Sequence, residues 1–167
     1  MTGMDKDYRW GHLDKQKVGR FGEYFAKMEF LRSGFDVYSP EVDDKAIDCL
    51  LRIDGPEPIY LEVQIKTVRL ASPGYVFMRK RHFTLHANRR LALVVLQEGQ
   101  FPELYLLPAS LWQQPVSPFS SKDYEGLKSD PEYGLTVSPK SLAALEPYRL
   151  SGASSLEAAV IGDGAHH

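Results

Sequence analysis

Apolar residues recur along this chain with two different periods, and each change of period marks an element. Between residues 15 and 33, Val18, Phe21, Phe25 and Met28 fall three or four apart, the spacing of one helix face. A second line on that helix, Gly19, Gly22, Glu23, Ala26 and Phe30, carries small residues that allow a close neighbour. Gly34 stands where a helix C-cap belongs. A short strand is predicted at 35–38, stopped by Ser39-Pro40, and 41–45 is an acidic loop. Residues 46–53 and 59–68 are rich in Ile, Leu and Val on either side of an Asp54-Gly55-Pro56 turn, which predicts a hairpin. A short strand at 75–78 and a short basic helix at 79–88 come next. Residues 91–96 are almost wholly apolar, as in a central strand buried on both faces. Residues 104–107 predict another strand, ended by Pro108, with one helical turn at 109–113.

After Pro115 the pattern weakens to scattered Pro, Ser and Gly, with a short helix at 141–145, and 151–167 read as a Ser/Gly/Ala-rich tail. The expected organisation is an N-terminal extension over 1–16 with Trp10 as its candidate for docking, an α/β core over 17–113, a C-terminal extension over 114–150 packed on that core, and the tail. The order helix, strand, hairpin, helix, strand, strand describes an α/β sandwich around a mixed sheet.

Composition narrows the class. The 167 residues are 43% hydrophobic and 25% charged, ordinary for one globular domain. A lone cysteine, Cys49, excludes a disulfide framework and suits a reducing compartment. No apolar run approaches the ~18 residues of a membrane span, and the N-terminus lacks the apolar stretch of a signal peptide. The expectation is a cytoplasmic protein with no membrane partner.

The net charge of −2 conceals an uneven distribution. Residues 67–97 hold Arg69, Arg79, Lys80, Arg81, Arg89 and Arg90 and no acid, whereas the segments on either side are net acidic. Such a block can attract a polyanion that the whole chain would not. Its plain alternative is a solvated basic surface.

Candidate chemistry concentrates in Glu62-Val63-Gln64-Ile65-Lys66. Strand alternation puts Glu62, Gln64 and Lys66 on one face and the apolar pair on the other. Three polar groups on an internal strand are costly unless satisfied or used. Asp48, amid apolar residues of the preceding strand, has the same problem, and pairing the two strands brings it near Gln64 and Lys66. With Glu23 offered from the helix, these groups suit a metal-dependent phosphodiesterase centre. Mg²⁺ prefers oxygen ligands, which Asp48, the Gln64 amide and the Ile65 carbonyl can supply. Glu23 can hold a water near such an ion, and Lys66 can orient or deprotonate it. His82 and His86 are four apart, but Phe83 stands where a zinc-protease motif needs Glu, and surface histidines are the simpler reading. Nucleotide-binding glycine motifs are absent.

The order Gly22-Glu23 on a helix, Ile47-Asp48 in a strand and Gln64-Ile65-Lys66 in the next strand resembles the PD-(D/E)XK nuclease superfamily. It is most similar to small stand-alone members near the archaeal Holliday-junction resolvases and to uncharacterised bacterial families of the same size. The likeness covers about residues 17–110. It implies a restriction-endonuclease-like αβββαβ core with a mixed central sheet flanked by helices, and a Mg²⁺- or Mn²⁺-dependent endonuclease acting on DNA. It also implies Asp48 and Gln64 as metal ligands, Lys66 as the catalytic lysine and Glu23 as the helix acid. The usual residue two before the lysine is Asp or Glu; Gln64 brings an oxygen but no charge, and Glu62 on the same face is the candidate to compensate. Arg69, Arg79, Lys80, Arg81, Arg89 and Arg90 then become phosphate contacts, with structure-directed rather than sequence-directed cutting. RNA is a second candidate substrate, and a homodimer would serve two strands. Two alternatives stand beside this reading: a nuclease-like fold that holds nucleic acid without cutting, and a protein-interaction domain in which Asp48 and Lys66 form a structural ion pair.

Overall fold

The computed structural model describes residues 7–71 and 74–151; all but the first residue of the tail expected at 151–167 lies outside them. The first helix, α1 (Lys15–Arg32), starts where the Asp14 side chain accepts the Lys17 N–H and ends before Gly34, whose φ of 99° only glycine adopts easily. Its buried residues are Val18, Gly22, Phe25, Ala26 and Phe30, so the line of small residues faces the protein, while Met28 of the expected stripe is exposed.

Five strands make the central sheet: β1 (Asp36–Tyr38), β2 (Cys49–Ile53), β3 (Ile59–Arg69), β5 (Arg89–Leu96) and β6 (Glu103–Pro108), in the order β1-β2-β3-β5-β6. The β3–β5 pair is parallel and the others antiparallel, as a mixed sheet requires. Every residue of β5 is buried. Ala92, Val94 and Leu96 enter the core under α1, and Leu91, Leu93 and Val95 enter a second core on the opposite face. Strand alternation thus splits one apolar run between two layers.

A second sheet covers that opposite face. It consists of β4 (Gly74–Arg79), β7 (Phe119–Lys122) and β8 (Glu132–Val137) in the order β4-β8-β7, all antiparallel, with α2 (Pro139–Leu145) following. The helix expected at 79–88 is not formed. Arg79 ends β4, Lys80–His82 make a single 3-10 turn, and Phe83 is buried against Trp112. Phe83 and Leu85 stand two apart, a spacing that does not build one helix face, so their packing into the second core prevails over helix propensity. β7 and β8 had no expected counterpart. Trp10 does dock: it is 7% exposed, its ring N–H donates to the Gln97 carbonyl, and its backbone N–H donates to Glu98.

Candidate active site

The candidate site lies where β2 parts from β3. Their ladder ends at Cys49 opposite Val63, and one more hydrogen bond runs from the Asp48 N–H to the Val63 carbonyl at 2.8 Å. Beyond it, the Asp48 carboxylate takes the place of a strand and accepts the Ile65 N–H at 2.6 Å. N–H and C=O of one strand residue point to the same edge, so the Ile65 carbonyl also faces the gap that β2 leaves. The opening is a cleft of about 370 Å³, lined by Glu23, Asp43, Asp48, Gln64, Lys66 and His82 among others.

Each member arrives for a local reason. Gly22 packs against Thr67 of β3, and this contact brings the next residue, Glu23, to the rim. There Glu23 pairs with Arg20 at 3.0 Å. Ala46 is held at a φ of 53°, strained for a residue with a Cβ, just before the turn into Asp48. Gln64 is 7% exposed, and its side-chain oxygen is buried without a hydrogen-bond partner. Such an atom costs on the order of 1–3 kcal/mol if left unpaired.

Burial pushes the Asp48 carboxyl above the usual carboxylate range; nearby Glu23 and Asp43 add to this, and the Ile65 N–H and Lys66 oppose it. Burial pushes the Lys66 ammonium down, with Lys15 and Arg79 acting the same way and Asp48 opposing. Among the described residues Lys66 forms no ion pair; its amine lies 5.8 Å from the centre of the Phe77 ring. The structural Asp48–Lys66 pair is therefore not formed. The donor set of one carboxylate, one buried amide oxygen and one carbonyl suits a hard divalent cation that keeps several waters. Among the described residues no three His, Cys, Asp or Glu side chains cluster with metal-ligand geometry, so a softer zinc-type site is not built here.

Four of the expected residues thus converge: Glu23, Asp48, Gln64 and Lys66, together with the Ile65 backbone. Glu62 does not join them. It binds Arg89 at 3.3 Å and His86 at 3.1 Å, outside the cleft lining. The basic block also divides. Arg89 and Arg90 are each 3% exposed; Arg89 donates to the His82 carbonyl and Arg90 to the Ala87 carbonyl. Arg69 donates to the carbonyls of Trp10, Gly11 and Leu13 and so ties down the N-terminal segment. Arg79 and Arg81 pair with Asp130, and Lys80 with Asp123. Of the six residues expected as phosphate contacts, Arg69, Arg89 and Arg90 are spent on backbone carbonyls, and Arg79, Lys80 and Arg81 remain nearer the surface, each paired with an acid. His82, read in the sequence as a surface histidine, and Asp43, from the acidic loop, also line the cleft. The signal was there in Asp43-Asp44, a pair of acids a few residues before Asp48.

The layered architecture is a restriction-endonuclease-like α/β fold, the fold that the motif order implied. Among solved structures, the chain is similar to the bacterial homing endonuclease I-Ssp6803I, with 18% identity, a TM-score of 0.50, and coverage of 91% of this chain and 95% of that one. It also aligns with Hjc, a Holliday junction resolvase from Archaeoglobus fulgidus, at 9% identity and a TM-score of 0.43, covering 75% of this chain and 95% of the other. No protein-family model and no curated protein matches the chain.

Proposed function

We propose that the protein is a Mg²⁺- or Mn²⁺-dependent endonuclease that hydrolyses DNA phosphodiester bonds. The observation that carries this reading is the unpartnered Gln64 oxygen, buried beside Asp48 and Lys66 in an open cleft. Asp48, Gln64 and the Ile65 carbonyl would hold the ion. When bound there, such an ion offsets phosphate charge and acidifies water.

The remaining roles fall to the chain itself. Glu23, at the rim, orients a water by accepting its hydrogen bond. Lys66, its ammonium destabilised by burial, can take a proton from that water at Nζ. In its charged form the same amine faces the phosphate. That the shared fold also belongs to a homing endonuclease adds support to DNA as the substrate.

The test is cleavage of supercoiled plasmid and of junction or flap DNA with Mg²⁺ or Mn²⁺. Cleavage that needs the metal and disappears in both Asp48→Ala and Lys66→Ala is the expected result. Metal-dependent cleavage surviving both changes would refute the assignment. A second reading, nucleic-acid binding without cutting, is favoured by one observation: with Gln64 in place of an acid, Asp48 is, among the described residues, the only carboxylate hydrogen-bonded to the backbone of the centre. Salt-sensitive DNA binding with no divalent-ion uptake by calorimetry would select it.

A further inference from the structure

The three-stranded sheet turns an aromatic and polar face outward beside the cleft. Along β4, Tyr75, Phe77 and Arg79 alternate with Val76 and Met78, and the latter pair is buried in the core beneath. Opposite the first three, in register, stand Thr136, Gly134 and Glu132 of β8. The Tyr75 and Phe77 rings stack with centres 6.3 Å apart and planes 22° apart, yet remain 40% and 38% exposed. Gly134 lets Tyr75 lie flat on the sheet, since a Cβ there would fall 2.0 Å from the tyrosine oxygen. The Tyr75 hydroxyl donates to Glu132, which fixes the ring's direction.

Cations surround these rings. Arg79 lies 5.7 Å and Lys66 5.8 Å from the Phe77 ring centre, and Lys122 lies 4.5 Å from that of Tyr75. Arg79 also pairs with Asp130 at 3.2 Å. Two rigid, half-open aromatic faces set among positive charges match a ligand that is flat, apolar on its faces and anionic along its backbone. Unpaired nucleotides have that chemistry, and stacking on aromatic side chains is how single strands are held without sequence preference. A paired duplex hides its base faces in the stack. Lys66 belongs to both places: it lines the cleft and approaches Phe77 at 5.8 Å, less than two base steps of about 3.4 Å.

We propose that this β4 face is a stacking platform for single-stranded DNA, on which Phe77 and Tyr75 receive consecutive unpaired bases while Lys122 and Arg79 meet their phosphates. The proposal rests on the endonuclease reading for its link to the cleft, and it deepens that reading by naming the substrate class: DNA with unpaired nucleotides next to the bond to be cut.

The test is made with the full chain in EDTA, so that binding is read without cutting. Its probes are a single strand of about a dozen nucleotides containing 2-aminopurine, and the same sequence fully paired. On the single strand, Phe77→Ala and Phe77→Leu are both expected to weaken binding about tenfold and abolish the fluorescence quench of the stacked base. Phe77→Trp is expected to retain both. Binding of the paired form should change by less than about twofold in all three variants. Phe77→Leu keeps the apolar surface and serves where Phe77→Ala unfolds. Equal losses on both probes, wild-type binding by Phe77→Leu, or no loss on the single strand would each overturn the platform. Intact single-strand binding with no metal-dependent cleavage would remove the hydrolase reading and leave the platform standing.

Discussion

Gly22 on α1 lies so close to Thr67 on β3 that a Cβ added to it would fall 1.7 Å from the threonine oxygen. The contact fixes the height of the helix above the sheet and, through the next residue, the reach of Glu23. Gly22→Ala is expected to force the layers apart. The gain in helix propensity is about 1 kcal/mol, while overpacking costs about 1–3 kcal/mol. A melting temperature lower by a few degrees, with divalent-ion affinity reduced as Glu23 shifts, is the expected outcome. Thr67→Ala added to Gly22→Ala should restore part of both losses.

Stability should respond to pH through Asp48. Its folded carboxyl holds its proton more tightly than the unfolded one, because burial penalises the charge. Ionisation therefore costs stability as pH rises through the folded value, and the cost is absent below the unfolded value of about 3.9. Asp48→Asn keeps an acceptor for the Ile65 N–H and removes the charge. Metal-free Asp48→Asn is expected to melt about 2–4 °C above the wild type at neutral pH, with the gap closing as pH falls toward about 3.5. A gap that stays constant across that range would show that charge burial is not its source.

A buried carboxylate in place of Gln64 should exchange stability for metal affinity. Gln64→Glu puts a second acid beside Asp48, where desolvation and like charge both act against it. Calorimetry with Mn²⁺ should show binding tighter by about tenfold, since ligand charge tunes such sites. The metal-free melting temperature should fall. Unchanged affinity would mean that the Gln64 side chain does not reach the ion.

Several of these relationships were legible in the sequence. Helix α1 and the β2–β3 hairpin follow from apolar spacing, and β5 from an unbroken apolar run that is buried on both faces. The nearness of Asp48 to Gln64 and Lys66 follows from strand pairing, while Glu23 joins them only through the packing of α1 on the sheet. What was not legible depends on distant partners. Ser120 and Gly134 carry no strand signal; β8 forms because β4, more than 50 residues earlier in the chain, supplies a neighbour, and β7 then pairs with β8. Asp123 and Asp130 sit far from the basic block in sequence and against it in space. Alternation correctly put Glu62 on the face of Gln64 and Lys66 but could not show that Arg89 would claim it.

That division of the basic residues has a measurable form. Arg89→Ala removes the buried partner of Glu62 and should cost about 3 kcal/mol, near the lower end for such pairs because Glu62 is 36% exposed. The slope of DNA affinity against salt should not change. Asp130→Asn does the reverse. It releases Arg79 and Arg81, so the slope should steepen by up to about 0.9 for each freed cation that meets a phosphate, with little change in melting temperature.

Cys49 sits at the back of this centre, fully buried between Asp48 and the core under α1. Burial lifts its thiol to about 12, so the reactive thiolate is scarce while the fold is closed. As the chain's lone sulfhydryl, it makes alkylation a natural clock for transient separation of β2 from β3. A cation that ties Asp48 to β3 should slow that clock, giving occupancy of the centre a chemical readout that requires no substrate and no turnover.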